Sequence, residues 1–192
     1  MSSSKGPESL AFDWGSCASG QHCVQVYEDE SRLLDTLEGF VANALARGEF
    51  ALVIATAAHR SSLRARMRAV GIDLDAAAAR GHYRAVDAAD CLARFMVAGA
   101  PDPARFEKTI HGLLAPAREG DRPVHAFCEM VALLWAQGNS GGTLSLERLW
   151  ETLCGAGNAN VFCAYPRIGA TRDLGDSLAE VLALHGRRVL PA

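Results

Sequence analysis

HCVQVYEDESRLLDT, residues 22–36, joins a β-branched and aromatic run to the first turns of an amphipathic helix, the way a nucleotide-binding α/β fold opens. The loop between the two halves is wrong for that purpose. A phosphate loop needs G-x-x-x-x-G-K-[ST], because glycines let backbone N–H groups wrap a phosphate while the lysine meets its charge. Here the junction reads VYEDESRLL, and Glu28, Asp29 and Glu30 put three carboxylates where a triphosphate would sit. Like charge at that spot is repulsive, which excludes conventional nucleoside triphosphate binding.

Downstream, SRLLDTLEGFVANALARG (31–48) sets Leu33, Leu34, Leu37, Phe40, Val41, Ala44 and Leu45 at helical spacing and stops at Gly48, with Asp29 or Ser31 as N-cap. FALVIAT (50–56) is a continuous apolar run of the kind buried on both faces of a parallel sheet. HRSSLRARMRAVG (59–71) is a basic amphipathic helix stopped by Gly71. A third unit runs from HYRAV (82–86), with Asp87 or Asp90 as cap, into a helix through CLARFMVAG (91–99). PDPARFEKTIHGLLAPAREG (101–120) reads as one helix started by its prolines. VHAFCEM (124–130) is the fourth strand, LSLERLWETLCGAG (144–157) a helix, and NVFCAYP (160–166) the fifth strand. TRDLGDSLAEVLALHG (171–186) is the last helix and RRVLPA a candidate terminal strand. GNSGG (138–142) reads as a connecting loop in preference to an anion nest. Strands alternating with helices specify an α/β fold, an open, mainly parallel five- or six-stranded sheet with helices on both faces.

With 192 residues the chain suits one domain over 21–192, after a Ser- and Gly-rich flexible lead-in over 1–20 from which Trp14 can pack down. Hydrophobic residues at 49%, charged residues at 21% and a formal charge of −3 give no electrostatic reason to expect direct nucleic-acid binding. The lead-in lacks the apolar segment of a signal peptide and no run reaches the roughly 18 apolar residues of a membrane span, so the expected location is the cytoplasm, with no membrane partner. Cys17, Cys23, Cys91, Cys128, Cys154 and Cys163 show no disulfide or CxxC spacing and read as small core hydrophobes.

The spacing of GQHCVQVYEDESRLLDTLEGFVANALARGEFALVIATAAHRSSLRARM resembles the opening of RecA- and KaiC-class ATPases with the phosphate loop overwritten. More specifically, HCVQVYED, GEFALVIATAAHRSSL, Gly81 before HYRAVDA, CEMVALLWAQGNSGGTLSLERLWETL and VFCAYP resemble the MEDS family, the methanogen and methylotroph DcmR-type sensory domain, over about residues 20–168. The resemblance implies a degenerate RecA/KaiC-like fold and a ligand sensor for hydrocarbon derivatives, of a kind that accompanies DNA-binding, kinase or anti-sigma modules. It also implies a small residue, typically Gly, before the glutamate that Glu129 matches; this chain has Cys128, which alters that spot or adds a thiol to it.

In an open parallel sheet ligands bind beyond the carboxyl ends of the strands. That rule nominates Tyr27, Glu28, His59, Cys128, Glu129 and Tyr165 as ligand-binding residues, beside Thr56 and Asp87, a mixture that suits a small, mostly apolar ligand. Tyr27 and Tyr165 serve equally well as core packing. Alternation sends His22 and Cys23 to opposite faces, which leaves His22 a structural hydrogen bond; a metal site would need an assembly across strands such as Cys23, Cys128 and Cys163. Cys128 or Cys163 with His59 or His125 offers nucleophile and base types without a local signature, so no catalytic residue, metal or cofactor is expected. Trp135 and Trp150, near Glu147 and Glu151, pack their helices on the sheet. The expected function is non-enzymatic sensing of a small-molecule ligand, relayed to a separate regulatory protein (a kinase, anti-sigma factor or transcription factor) or through a homodimer. HRSSLRARMR is either a solvated face or the docking patch for that partner. The alternatives are a thiol- or metal-based redox sensor and a degenerate RecA-like nucleotide-binding protein.

Overall fold

Runs such as FALVIA and VFCAY have no polar face to show to water, so they fold only where both sides of a sheet are covered. The computed structural model describes residues 14, 20–157, 159–167, 175–185 and 187–188. In chain order these form β1 (His22–Tyr27), α1 (Glu30–Ala46), β2 (Phe50–Ala55), α2 (Ala57–Ala69), α3 (Leu74–Ala79), β3 (Tyr83–Asp87) and α4 (Ala88–Ala93). A hairpin of β4 (Met96–Val97) and β5 (Ala100–Pro101) leads to α5 (Pro103–Leu113), α6 (Ala115–Glu119), β6 (Val124–Cys128) and α7 (Met130–Ala136). The chain continues through α8 (Ser140–Gly155), β7 (Asn160–Pro166), α9 (Gly175–Ala183) and β8 (Arg187–Arg188). The main sheet has six strands in the order β3-β2-β6-β7-β1-β8, and every pairing is parallel.

Because successive strand side chains alternate, the sheet sorts its residues into two cores. Val24, Phe50, Leu52, Ile54, Ala126, Cys128, Val161, Cys163 and Tyr165 face α4 to α9. Cys23, Tyr27, Ala51, Val53, Phe127, Phe162 and Ala164 face α1 to α3. Trp14 closes the second core, 4.6 Å from the Phe40 ring and 5.2 Å from Phe162. Residues 1–13 and 15–19 of the lead-in, Cys17 included, lie outside the described residues, as do 171–174, 186 and 189–192 of the two C-terminal segments.

Several elements differ from the sequence expectation, each for a local reason. The helix expected through residue 99 stops at Ala93, and Met96–Pro101 turns back as the β4–β5 hairpin, held by Asn139 Nδ2 donating to the Gly99 carbonyl at 2.7 Å. The helix expected over 101–120 is two: Pro116 has no N–H to return to the Gly112 carbonyl, and Arg84 Nη1 donates to that carbonyl instead at 3.1 Å. The strand expected to reach Met130 ends at Cys128, and the apolar run after Glu129 is helix α7, a distinction apolarity alone does not make. GNSGG is not a free loop: Asn139 caps α8 by accepting from Gly142 N–H, and a Cβ on Gly142 would come within 2.6 Å of the Asn139 side chain. The arginines of HRSSLRARMR are largely engaged within the chain, Arg60 with Asp87, Arg64 with Asp75, and Arg66 with Asp35 and Glu38. No helix among the described residues is long and apolar enough to cross a membrane.

Two stability effects follow. Phe162 is fully buried against Trp14, Phe40 and Phe127, so Phe162→Ala should cost about 3–5 kcal/mol in urea denaturation. Ala98 sits at φ 48° in the two-residue hairpin turn with Gly99 at φ 83°, a left-handed conformation that disfavours a Cβ, so Ala98→Gly should raise stability by up to about 1 kcal/mol in the same assay.

Candidate functional site

The β1–α1 junction consists of Glu28 and Asp29, and Asp29 is the N-cap of α1. Its carboxylate accepts from Ser31 N–H at 2.8 Å, and its carbonyl accepts from Arg32 N–H at 3.1 Å. That hydrogen bond holds the Asp29 carboxyl below its ordinary range. The helix terminus that would cradle a phosphate is thus occupied by the chain's own anion.

Two strands over, Glu129 follows β6 and turns its side chain toward the start of α2. Its carboxylate accepts from Thr56 N–H at 2.7 Å and from Thr56 Oγ1 at 3.3 Å, and His59 Nδ1 lies 2.8 Å from Oε1. A carboxylate only accepts, so Nδ1 carries the proton. Thr56 is at the same time the N-cap of α2, its Oγ1 accepting from His59 N–H at 3.4 Å. Glu129 is 5% exposed and its own N–H donates to the Ile54 carbonyl, which locks β6 to β2 at the site. The hydrogen bond to Glu129 raises the His59 pKa, outweighing a burial that lowers it, and the Glu129 and Glu30 charges add to the rise. Tyr27 stands nearby: burial, then the charges of Glu129 and Glu30, raise its phenol, which stays protonated. A hollow of about 310 Å³ opens beyond β2, at the end of β3, lined by Arg60, Asp87, Asp90, Cys91 and Arg94 among others.

The six residues nominated from sequence therefore divide. Tyr27, His59 and Glu129 come together on the α1–α2 side. Glu28 points to solvent, with Arg167 Nη1 3.6 Å from its carboxylate. Cys128 and Tyr165 project through the opposite face of the sheet, where Trp150 Nε1 donates to Cys128 Sγ at 3.1 Å and the Tyr165 ring meets Trp135 at 5.6 Å. Burial raises the pKa of Tyr165 and of Cys163, so both are neutral in isolation.

Tyr165 belongs to a second buried polar group that sequence reasoning did not assemble. Its hydroxyl donates to Glu147 Oε1, and Glu147, on α8, is wholly buried. His22, Cys163 and His185 surround the other carboxylate oxygen. Burial alone would raise the Glu147 carboxyl, but His185 and His22 more than offset it and bring it down to about 2. The clue was in the spacing: Thr143, Leu146, Glu147, Trp150 and Cys154 are the buried stripe of α8, and Glu147 stands inside it.

A parallel sheet of this order, with helices on both faces and a self-capped helix in place of a phosphate loop, is a RecA/KaiC-like scaffold. The chain is similar to a KaiC-like protein from the hyperthermophilic archaeon Pyrococcus horikoshii OT3, with a TM-score of 0.53 and 15% identity, over 81% of this chain and 66% of that one. At that identity the likeness is one of fold. Among curated proteins none matches the chain. Residues 21–186 match the MEDS family, "MEthanogen/methylotroph, DcmR Sensory domain", and the chain belongs to that family of sensory domains.

A histidine whose folded pKa is raised contributes stability that is fully present below its unfolded value of 6.5 and is lost as pH rises through the folded value. His59 should accordingly titrate above 6.5 by NMR, and Glu129→Gln should lower its midpoint.

Proposed function

We propose that this sensory domain receives its signal at the Tyr27, Thr56, His59 and Glu129 cluster, from a small, largely apolar molecule with at most one polar or halogen substituent. The observation that carries this reading is the Glu129 carboxylate, buried at the carboxyl ends of the strands and held by three donors from the start of α2. The position is the one at which open parallel sheets take their ligands, while the Asp29 cap removes the anion-binding helix terminus that a nucleotide requires. Tyr27, His59 and Glu129 are each under 8% exposed, so little room is left for a large or charged ligand.

The same carboxylate supports a way to transmit the signal. Thr56 caps α2 on one face of the sheet and Glu129 starts α7 on the other, so a ligand that competes for Thr56 or His59 acts on helices of both layers. The ligand shifts the population between two arrangements only by its differential affinity for them, and moving the balance from 1:99 to 99:1 needs about 10⁴-fold. We assign the output to a separate regulatory protein or a second copy of the chain, and we read the domain as non-enzymatic.

Thermal-shift measurements against small halogenated and aromatic hydrocarbons, with ATP and magnesium as the contrasting probe, test the reading. Saturable stabilisation of about 2.7 kcal/mol is expected at a hundredfold excess over Kd for a member of the hydrocarbon set, reduced in His59→Ala and Glu129→Gln. Saturable stabilisation by ATP with magnesium, and none by the hydrocarbons, would overturn it.

A further inference from the structure

His22, Glu147, Cys163 and His185 lie on four separate elements or their flanks: the start of β1, the middle of α8, the centre of β7 and the turn after α9. One ligand atom from each lies within 4.8 Å of every other, and all four residues are buried. Glu147 Oε2 is the hub, with His22 Nε2 at 3.1 Å, Cys163 Sγ at 3.4 Å and His185 Nε2 at 3.5 Å. Cys163 Sγ is 3.5 Å from His22 Nε2. A tetrahedron built on zinc–nitrogen and zinc–oxygen bonds of about 2.0–2.2 Å and a zinc–sulfur bond of about 2.3 Å has edges of roughly 3.3–3.6 Å. The four separations of 3.1–3.5 Å around Glu147 Oε2 and His22 Nε2 have that scale, and the other two lie within 4.8 Å.

The orientation of the two imidazoles is a second, independent observation. His185 Nδ1 donates to the Val181 carbonyl at 2.7 Å, which fixes the proton on Nδ1 and leaves the lone pair on Nε2. That Nε2 is buried and has no hydrogen-bond partner, although it faces the Glu147 carboxylate. His22 repeats the arrangement: Nδ1 lies 3.0 Å from the Glu151 carboxylate, so its Nε2 lone pair also faces inward. With both rings neutral, two nitrogen lone pairs and the Glu147 carboxylate face one centre with the Cys163 S–H between them, and a metal cation there would meet all four donors at once. Tyr165 meanwhile donates to Glu147 Oε1 and leaves Oε2 to the centre. Outer partners that orient the ring nitrogens and the carboxylate in this way are what metal-binding residues carry.

We propose that His22 Nε2, Glu147 Oε2, Cys163 Sγ and His185 Nε2 bind one divalent zinc-class cation. Four protein ligands of mixed nitrogen, oxygen and sulfur character make a closed tetrahedral site, which is structural in type. Binding takes the proton from the Cys163 thiol and releases it to solvent, leaving thiolate on the metal. The ion would tie the turn after α9 to β1, β7 and α8, and so hold the C-terminal segment on the sheet. This revises the expectation of a metal-free chain: Cys163 takes part, but with histidines and a carboxylate, while Cys23 faces the other core and Cys128 accepts from Trp150. The site is on the opposite face from the Glu129 cluster, and neither reading rests on the other.

The test uses the full chain, purified, depleted with a chelator and titrated with Zn²⁺ against a chromophoric competitor, and separately with Co²⁺. One equivalent of zinc is expected, with a tetrahedral Co²⁺ spectrum that includes a thiolate charge-transfer band. The band should vanish in Cys163→Ser and persist in Cys128→Ser. Glu151 is 52% exposed at its side chain, so Glu151→Gln should fold normally and weaken zinc roughly 10–100-fold through the His22 ring. A folded chain that binds no zinc, or zinc affinity unchanged in Cys163→Ser, His185→Ala and Glu151→Gln, would overturn the assignment.

Discussion

A parallel sheet covered on both faces allows a strand side chain one of two apolar layers and nothing else, and this constraint sorts the chemistry of the chain. His22, Val24, Cys163 and Tyr165 fall on the α8 side, whereas Tyr27, Phe127 and Phe162 fall on the α1 side. A slip of one residue in β1 would take His22 away from Glu147 and Tyr27 away from the Glu129 side, and one in β7 would take Cys163 and Tyr165 away from Glu147. Polar residues in such a sheet survive only where partners wait for them, and the two glutamates are met in different ways. Glu129 is met by donors from a helix start, Glu147 by two imidazoles, a phenol and a thiol.

Histidine–carboxylate pairing recurs at the other end of the sheet with the opposite electrostatic result. His125 Nε2 lies 2.6 Å from Glu49, yet burial, the larger influence, lowers its pKa, and Arg47 beside the pair pulls in the same direction. His59, whose hydrogen bond to Glu129 is the larger influence and to which Glu30 adds, is raised. The comparison shows that pairing type does not decide protonation; the balance of burial and neighbouring charge does. It also separates the two ends of the sheet: the amino end carries a neutral buried histidine, and the carboxyl end carries one tuned toward the charged form.

Much of the scaffold was legible from local pattern. The strands were apparent because parallel-sheet runs are continuous in Val, Ile, Phe and Ala, and α1 and α2 because their ends carry Asp29, Thr56, Gly48 and Gly71. What escaped had contradictory or short signals. MVALLWA is as apolar as a strand, Pro116 splits a helix whose hydrophobic spacing runs on, and α3 has six residues. Of the candidate site, the carboxyl-end rule named Tyr27, His59 and Glu129, which the fold brings near one another, but it took no account of side-chain parity for Cys128 and Tyr165, which face the other layer. The Glu147 cluster draws on residues 22, 147, 163 and 185, a separation in sequence that no motif bridges.

Trp14 is the lone indole on its layer among the described residues, whereas Trp135 and Trp150 share the other with Tyr165 and Cys128. The Trp150 N–H rests on a sulfur, a contact that quenches indole emission, whereas the Trp14 ring packs on the phenyl rings of Phe40 and Phe162. The chain's intrinsic fluorescence is therefore divided by the sheet into two optical channels, one for each layer, and a replacement of Trp14 by Phe would isolate the layer that carries the histidine–thiol cluster.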